Sequence, residues 1–374
     1  MLKREYKNTG DQISVLGLGC MRLPKVEGSE KIDRAEAQKI VDLAYERGVN
    51  YFDTAYRYHE GDSELFIGEA LKKYPRESFH LATKMPMWMV ESPEDVKRIF
   101  EDQLSRCQVK YFDFYLCHAM NASYLDIMKK NGVYEYLLEE KKAGRIRHLG
   151  FSFHDSPEVL RQIVEYGEWD FAQIQLNYLD WELQDAKSQY EILTEHGIPV
   201  VVMEPVRGGA LASLCEESDR ILKEARPDHS IASWAVRYVA SLPNVMTVLS
   251  GMSTVQQVED NTATMIDFEP LTDKDREVIA AALEAYRKNK TIPCTGCRYC
   301  MDCPFGVDIP GVFKAYNTFA IGGGKDRMRN EIAAFGEGHG PDQCKSCGKC
   351  MKLCPQKIQI PDRMKEIAEL LAQK

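Results

Sequence analysis

Between residues 12 and 265 the chain alternates eight apolar, β-type runs with segments of helical spacing, and few architectures absorb eight such repeats. The runs are SVLGLGC (14–20), NYFDTA (50–55), FHLATKM (79–85), FDFYLCH (112–118), IRHLGFS (146–152), FAQIQLN (171–177), IPVVVME (198–204) and VMTVLSG (245–251). Intervening stretches such as RAEAQKIVDLAYERG and PEDVKRIFEDQLSRC place apolar residues three and four apart, as an amphipathic helix requires. Helix starts are marked at Ser63-Glu64, Ser92-Pro93-Glu94 and Asp155-Ser156-Pro157, and helix ends at Gly48, Gly144 and Gly197. Eight β-then-α units over about 250 residues fit an α/β fold of the (β/α)8 TIM-barrel type. A doubly wound sheet is the alternative, and the strand number disfavours it.

After about residue 290 the strand pattern stops, which places a boundary near Lys290, with a barrel over 1–289 and a small helical, loop-rich domain over 290–374. The helix-like DKDREVIAAALEAYRK (273–288) reads as the connector. Of the twelve cysteines, Cys20, Cys107, Cys117 and Cys215 are scattered, and the other eight fall between 294 and 354. Cys344, Cys347, Cys350 and Cys354, followed by Pro355, have the C-x2-C-x2-C-x3-C-P spacing of bacterial two-cluster ferredoxins. Cys294, Cys297, Cys300, Cys303 and Pro304 repeat it with one residue fewer. Eight thiolates match two [4Fe-4S] clusters, and the ferredoxin cross-over pattern groups Cys294, Cys297, Cys300 with Cys354, and Cys344, Cys347, Cys350 with Cys303. Two all-thiolate zinc sites are the alternative, although zinc ribbons present separated C-x2-C pairs.

A formal net charge of -9 gives no support to nucleic-acid binding. The first residues lack the apolar core of a signal peptide, and no apolar run reaches membrane-spanning length, so a cytoplasmic location is expected.

Reacting groups of such a barrel belong on the C-terminal rim of its strands. Asp53 ends the second run, Tyr58 lies in the loop after it, Lys84 ends the third and His118 the fourth. These types suit carbonyl reduction. Oxygen gains negative charge when hydride adds to carbon, and a phenol can supply the proton beside an ammonium that lowers its pKa. Asp53 would hold Lys84, and His118 would orient the carbonyl. Trp88, Met120 and Asn121 are candidates for the substrate wall.

NYFDTAYRYHEGDSELFIGEAL (50–71) resembles the second-strand signature of the aldo-keto reductases, and LATKMP and DFYLCH are similar to the segments bearing that family's lysine and histidine. The resemblance implies a catalytic tetrad of Asp53, Tyr58, Lys84 and His118, and an NAD(P)H-dependent oxidoreductase that interconverts an aldehyde or ketone and its alcohol, with Tyr58 as proton donor. It further implies an extended NADP or NAD bound without a Rossmann fingerprint. Ser152 and Gln175 would hold the carboxamide, with Gln173 as fallback, and Met203 would pack on the nicotinamide. Val206, Arg207 and Gly208 would approach the pyrophosphate, and Cys20, Met21, Asp53, Gly251, Ser253, Gln257 and Asn261 complete the implied cofactor set. Gly251 and Gln257 stand where many relatives carry a Lys and an Arg for the 2′-phosphate of NADP, so the family favours NADP and these residues favour NAD.

The whole resembles aldo-keto reductases that carry a C-terminal ferredoxin-like module, which implies a ferredoxin- or flavodoxin-type electron partner beside the small carbonyl or alcohol substrate. Three roles stay open for that module: one-electron exchange, a structural staple, or a wall of the substrate pocket. A second reading makes the chain an electron-transfer or redox-sensing protein whose barrel binds nucleotide as a signal.

Overall fold

The structure, a computed structural model, describes residues 1–7, 9–266 and 268–373. By its backbone packing the chain divides into two compact units, 1–205 with 235–271, and 206–234 with 272–374.

In the first unit a hairpin of β1 (Lys3–Glu5) and β2 (Gln12–Ser14) precedes eight strands that close into a parallel barrel. These are β3 (Leu16–Gly19), β4 (Tyr51–Asp53), β5 (His80–Met85), β6 (Phe112–Met120), β7 (Ile146–Phe153), β8 (Phe171–Gln175), β9 (Val200–Met203) and β10 (Val245–Ser250). They follow one another around the barrel in chain order, β10 pairing with β3 to close it. All eight apolar runs are therefore strands, and the closed sheet excludes the doubly wound alternative. The hairpin was not foreseen, because three-residue strands carry too little pattern. It brings Tyr6 and Ile13 onto Tyr51, Phe114, Phe171, Val201 and Met246, side chains near the N-terminal ends of the strands. That fills the end of the barrel opposite the expected rim.

Helix ends follow the sequence signals in part. Ser92 and Asp95 form a reciprocal capping box at Pro93–Arg106, and Gly48, Gly144 and Gly197 have φ of 91°, 77° and 63°. Ser63 does not cap a helix. The helix Asp62–Leu71 starts from Gly61, and the fully buried Ser63 hydroxyl lies 2.8 Å from Thr54 Oγ1. This helix lies so near the end of Pro93–Arg106 that a Cβ on Gly68 would come within 2.7 Å of the Cys107 backbone.

The second unit is helical. Glu216–Ala225 packs on Asp273–Arg287, and Ile309–Ala320, Lys325–Ala333 and Ile360–Ala372 surround a small aliphatic core that includes Val312, Phe313, Met328, Ile360, Met364 and Ile367. Six of the eight clustered cysteines, Cys294, Cys300, Cys303, Cys344, Cys350 and Cys354, belong to or pack against that core.

Candidate active site and cysteine clusters

The register of the barrel brings the tetrad together. Gly19 pairs with Asp53, Asp53 with Ala82 and Lys84 with Leu116, so the Asp53, Lys84 and His118 side chains leave adjacent strands near one rim. Lys84 is fully buried, and its ammonium donates to Asp53 Oδ1 at 2.7 Å, Asp53 Oδ2 at 2.8 Å and Thr54 O at 2.8 Å. A longer contact of 3.4 Å reaches the Tyr58 hydroxyl. The Tyr58 and His118 rings lie 6.1 Å apart edge to face, and Trp88 lies 5.0 Å from His118.

This electrostatic arrangement differs from the expectation. Burial pushes the Tyr58 phenol well above its ordinary range, and Asp53 adds to the shift. The Lys84 ammonium lies nearer the Asp53 carboxylate than the phenol, so its pull on Tyr58 does not outweigh burial. The phenol instead stays protonated and ready to donate. Burial, with Lys84 and then His154 nearby, holds His118 well below the usual imidazole range, so the ring is neutral. Its buried Nδ1 has no hydrogen-bond partner among the described residues. Burial also raises Asp53, against the pull of Lys84.

Behind these groups lies a buried polar network that left only one mark in the sequence. Glu64 is fully buried and accepts from Thr83 Oγ1 at 2.6 Å, Gln103 Nε2 at 2.6 Å and Arg106 Nε at 2.8 Å. Gln103 also donates to the Lys84 carbonyl at 3.0 Å. Arg106 Nη2 donates to the Gly61 carbonyl, which anchors the left-handed turn of His59, Glu60 and Gly61 immediately after Tyr58. The network thus ties both the lysine strand and the tyrosine loop to one buried carboxylate. The available signal was Gln103, a polar residue in the apolar stripe of Val96, Ile99, Phe100 and Leu104.

The candidate cofactor residues are distributed as follows. Ser152 is buried, and its Oγ accepts from Ala119 N at 2.7 Å. Gln175 Nε2 donates to Asp180 at 2.7 Å. Gln173, also buried, donates Nε2–H to Met203 Sδ at 3.7 Å, and its Oε1 has no partner among the described residues. Cys20 is fully buried, and Met21 and Met203 are half-buried. Arg22, Gly251, Ser253, Gln257 and Asn261 form a connected group. Gly251 packs on the Arg22 stem, and Ser253 Oγ donates to Arg22 O at 2.6 Å. Gln257 Oε1 accepts from Ser253 N at 2.7 Å, and Asn261 donates to Ser250 Oγ at 3.0 Å. The Arg22 guanidinium faces Glu204 at 3.1 Å. Val206, Arg207 and Gly208 fall in the second compact unit, where Arg207 is 3% exposed and Gly208 is exposed. Arg207 Nη2 donates to Pro293 O at 3.2 Å and Gln356 Oε1 at 3.3 Å, so its charge points into that unit. Asn121 caps the helix Ala122–Asn131, and Met120 is fully buried.

The eight clustered thiols fall into two sets. Cys294, Cys297, Cys300 and Cys354 line a small, partly open cavity whose other walls include Ile309, Phe313, Ile358 and Ile360. The thiols acting electrostatically on Cys300 are Cys297, Cys294 and Cys354, and those acting on Cys350 are Cys344, Cys347 and Cys303. Four thiols lining one cavity suit a polynuclear iron–sulfur core.

Comparison with known proteins agrees with both parts. Residues 15–284 match the aldo/keto reductase family, and residues 293–359 match a 4Fe-4S dicluster domain. A probable aldo-keto reductase of Glycine max is 29% identical over 208 residues, 54% of this chain and 58% of that protein's own length. The NADH-specific methylglyoxal reductase of Escherichia coli is 26% identical over 313 residues, which cover 71% of this chain and 94% of that one. Among solved structures, the holo form of an aldo-keto reductase from Bacillus halodurans superposes with a TM-score of 0.63 at 29% identity, covering 75% of this chain and 96% of that chain. With a closed eight-stranded barrel and a family match over most of its length, the chain is a member of the aldo-keto reductases, an oxidoreductase of that type with a C-terminal 4Fe-4S domain.

Proposed function

We propose that the barrel catalyses reversible, nicotinamide-dependent reduction of an aldehyde or ketone, with Tyr58 as the acid. The observation that carries this reading is the convergence of Asp53 and Tyr58 on the Lys84 ammonium with the neutral His118 beside them. A bound reduced nicotinamide would supply hydride to the carbonyl carbon. Tyr58 gives its hydroxyl proton to the carbonyl oxygen as negative charge develops there, and the nearby Lys84 ammonium stabilises the phenolate left behind. His118, neutral, orients the carbonyl by one hydrogen bond. Asp53 holds the Lys84 ammonium in place through two hydrogen bonds. The unpartnered Gln173 Oε1 fits the amide donors of a nicotinamide carboxamide, with Ser152 and Gln175 on neighbouring positions. A pure nucleotide sensor has little need of all four reacting groups, which favours the enzyme over the redox-sensing reading. A screen of carbonyl compounds against each reduced nucleotide tests the proposal. Turnover with at least one carbonyl supports it, and nucleotide binding without turnover across the screen counts against it.

For the nucleotide we propose NAD(H), because the one cation in the group of Gly251, Ser253, Gln257 and Asn261 is Arg22, which faces Glu204. Gln257→Arg should swing the NADPH-to-NADH dissociation-constant ratio toward NADPH by about tenfold, one charge-assisted phosphate contact. Fluorescence titration of both nucleotides checks this.

We further propose residues 1–289 as the barrel domain and 290–374 as an iron–sulfur module holding two [4Fe-4S] clusters. Cys294, Cys297, Cys300 and Cys354 would hold one, and Cys303, Cys344, Cys347 and Cys350 the other. Electron exchange with a ferredoxin- or flavodoxin-type partner fits the exposed Cys347 and the exposed Lys345, Lys349 and Lys352 around it. Among the described residues no helix is long and apolar enough to cross a membrane, and we propose a cytoplasmic location. Anaerobically purified protein should contain about eight irons, and Cys354→Ala or Cys303→Ala about four, each losing a different cluster by its EPR signal. Loss of the same signal from both variants would contradict the crossed assignment.

A further inference from the structure

Arg207 sits in a strained turn and points into the cysteine module. Arg207, Gly208 and Gly209 have φ of 51°, 64° and 95°, three consecutive left-handed residues, and arginine adopts that region only at a cost. Such strain persists where the surroundings over-determine it. Here the buried guanidinium donates to Pro293 O, one residue before Cys294, and to Gln356 Oε1, two residues after Cys354. Gln356 itself lines the cavity of Cys294, Cys297, Cys300 and Cys354. One side chain therefore ties together the two segments, about sixty positions apart in sequence, that bring the fourth thiol to the other three.

It also brings a charge. Arg207 stands behind the cavity wall, on Gln356, whereas Arg298, which lines the cavity itself, is 44% exposed and lies 3.9 Å from Asp308, so water and a carboxylate offset it. Arg207, at 3% exposure, is screened far less. Reduction adds an electron to whatever the four thiolates hold, and a nearby buried cation favours the more negative state. Lys345 and Lys349, near the second set of thiols, are exposed and act through solvent.

We propose that Arg207 is a positioning residue for the first four-cysteine site, joining its two halves and raising the reduction potential of the cluster held there, and only that one. This rests on the iron–sulfur reading given above. The test is an EPR-monitored redox titration and iron count on the anaerobic full-length chain, for wild type, Arg207→Lys and Arg207→Gln.

Arg207→Gln should either move one of the two midpoints to more negative potential by a tenfold change in the one-electron equilibrium, about 59 mV, or lose that one cluster alone. Arg207→Lys should restore the wild-type behaviour in part. Arg207→Gln protein with full iron and both midpoints unchanged overturns the proposal, as does equal loss of both clusters in the two variants. Wild-type protein that binds no iron at all refutes the underlying cluster reading instead.

Discussion

Tyr58→Phe should lower carbonyl turnover by about 10²–10⁴-fold, the usual contribution of a positioned general acid, while leaving nucleotide affinity unchanged. The ring keeps its volume, so the edge-to-face approach to His118 and the buried Lys84–Asp53 pair both survive. Only the hydroxyl 3.4 Å from Lys84 is removed. The pH dependence follows from the direction of the phenol shift. Because burial and Asp53 hold Tyr58 protonated beyond its ordinary range, the donor form persists through alkaline pH. Carbonyl reduction should show no descending limb from Tyr58 below about pH 10, the ordinary tyrosine value. Alcohol oxidation, which needs the phenolate, should rise about tenfold per pH unit over the same range. A fall in reduction near neutral pH that disappears in Tyr58→Phe would contradict this assignment.

Lys84→Met should be the most destabilising substitution in the site. It leaves Asp53, 2% exposed, without its cation, and breaking a buried pair costs about 3–5 kcal/mol. The pH dependence of that loss has a definite sign. Burial already raises the folded-state pKa of Asp53 above its unfolded value, and without Lys84 it rises further. Between those two values the folded state binds more protons, so stability falls as pH rises and recovers as pH falls. Lys84→Met should therefore regain stability on acidification, and Asp53→Asn combined with Lys84→Met should regain much of it at neutral pH. Urea denaturation of the wild type and the two variants at pH 5 and pH 8 measures this.

The parts of the fold legible in sequence were those written in local period. Each barrel strand is a continuous apolar run because its two faces are both covered, and Ser92-Pro93-Glu94 and the three helix-ending glycines act over a few residues. The residue types of the tetrad and their positions at strand ends were legible for the same reason. The Glu64 network was not. Glu64 meets Thr83, Gln103 and Arg106 across 19 to 42 positions, and in the sequence it reads as an ordinary acidic residue in a first helical turn. The direction of the Arg207 side chain was not legible either. Its partners, 86 and 149 positions away, give the guanidinium to the cysteine module. The net direction of the Tyr58 shift was not legible, because residue identity supplies the ammonium but neither the burial of the phenol nor the two shorter bonds that the ammonium makes to Asp53.

The most direct test is the fate of a deuterium carried at C4 of the reduced nicotinamide. Hydride transfer at the barrel rim predicts one deuterium on the carbinol carbon of the product alcohol, formed at a rate that collapses in Tyr58→Phe. Product formed at an undiminished rate with solvent hydrogen on that carbon would contradict the account, since it would mean that electrons reach the carbonyl singly and that Tyr58 and its neighbours do not carry the chemistry.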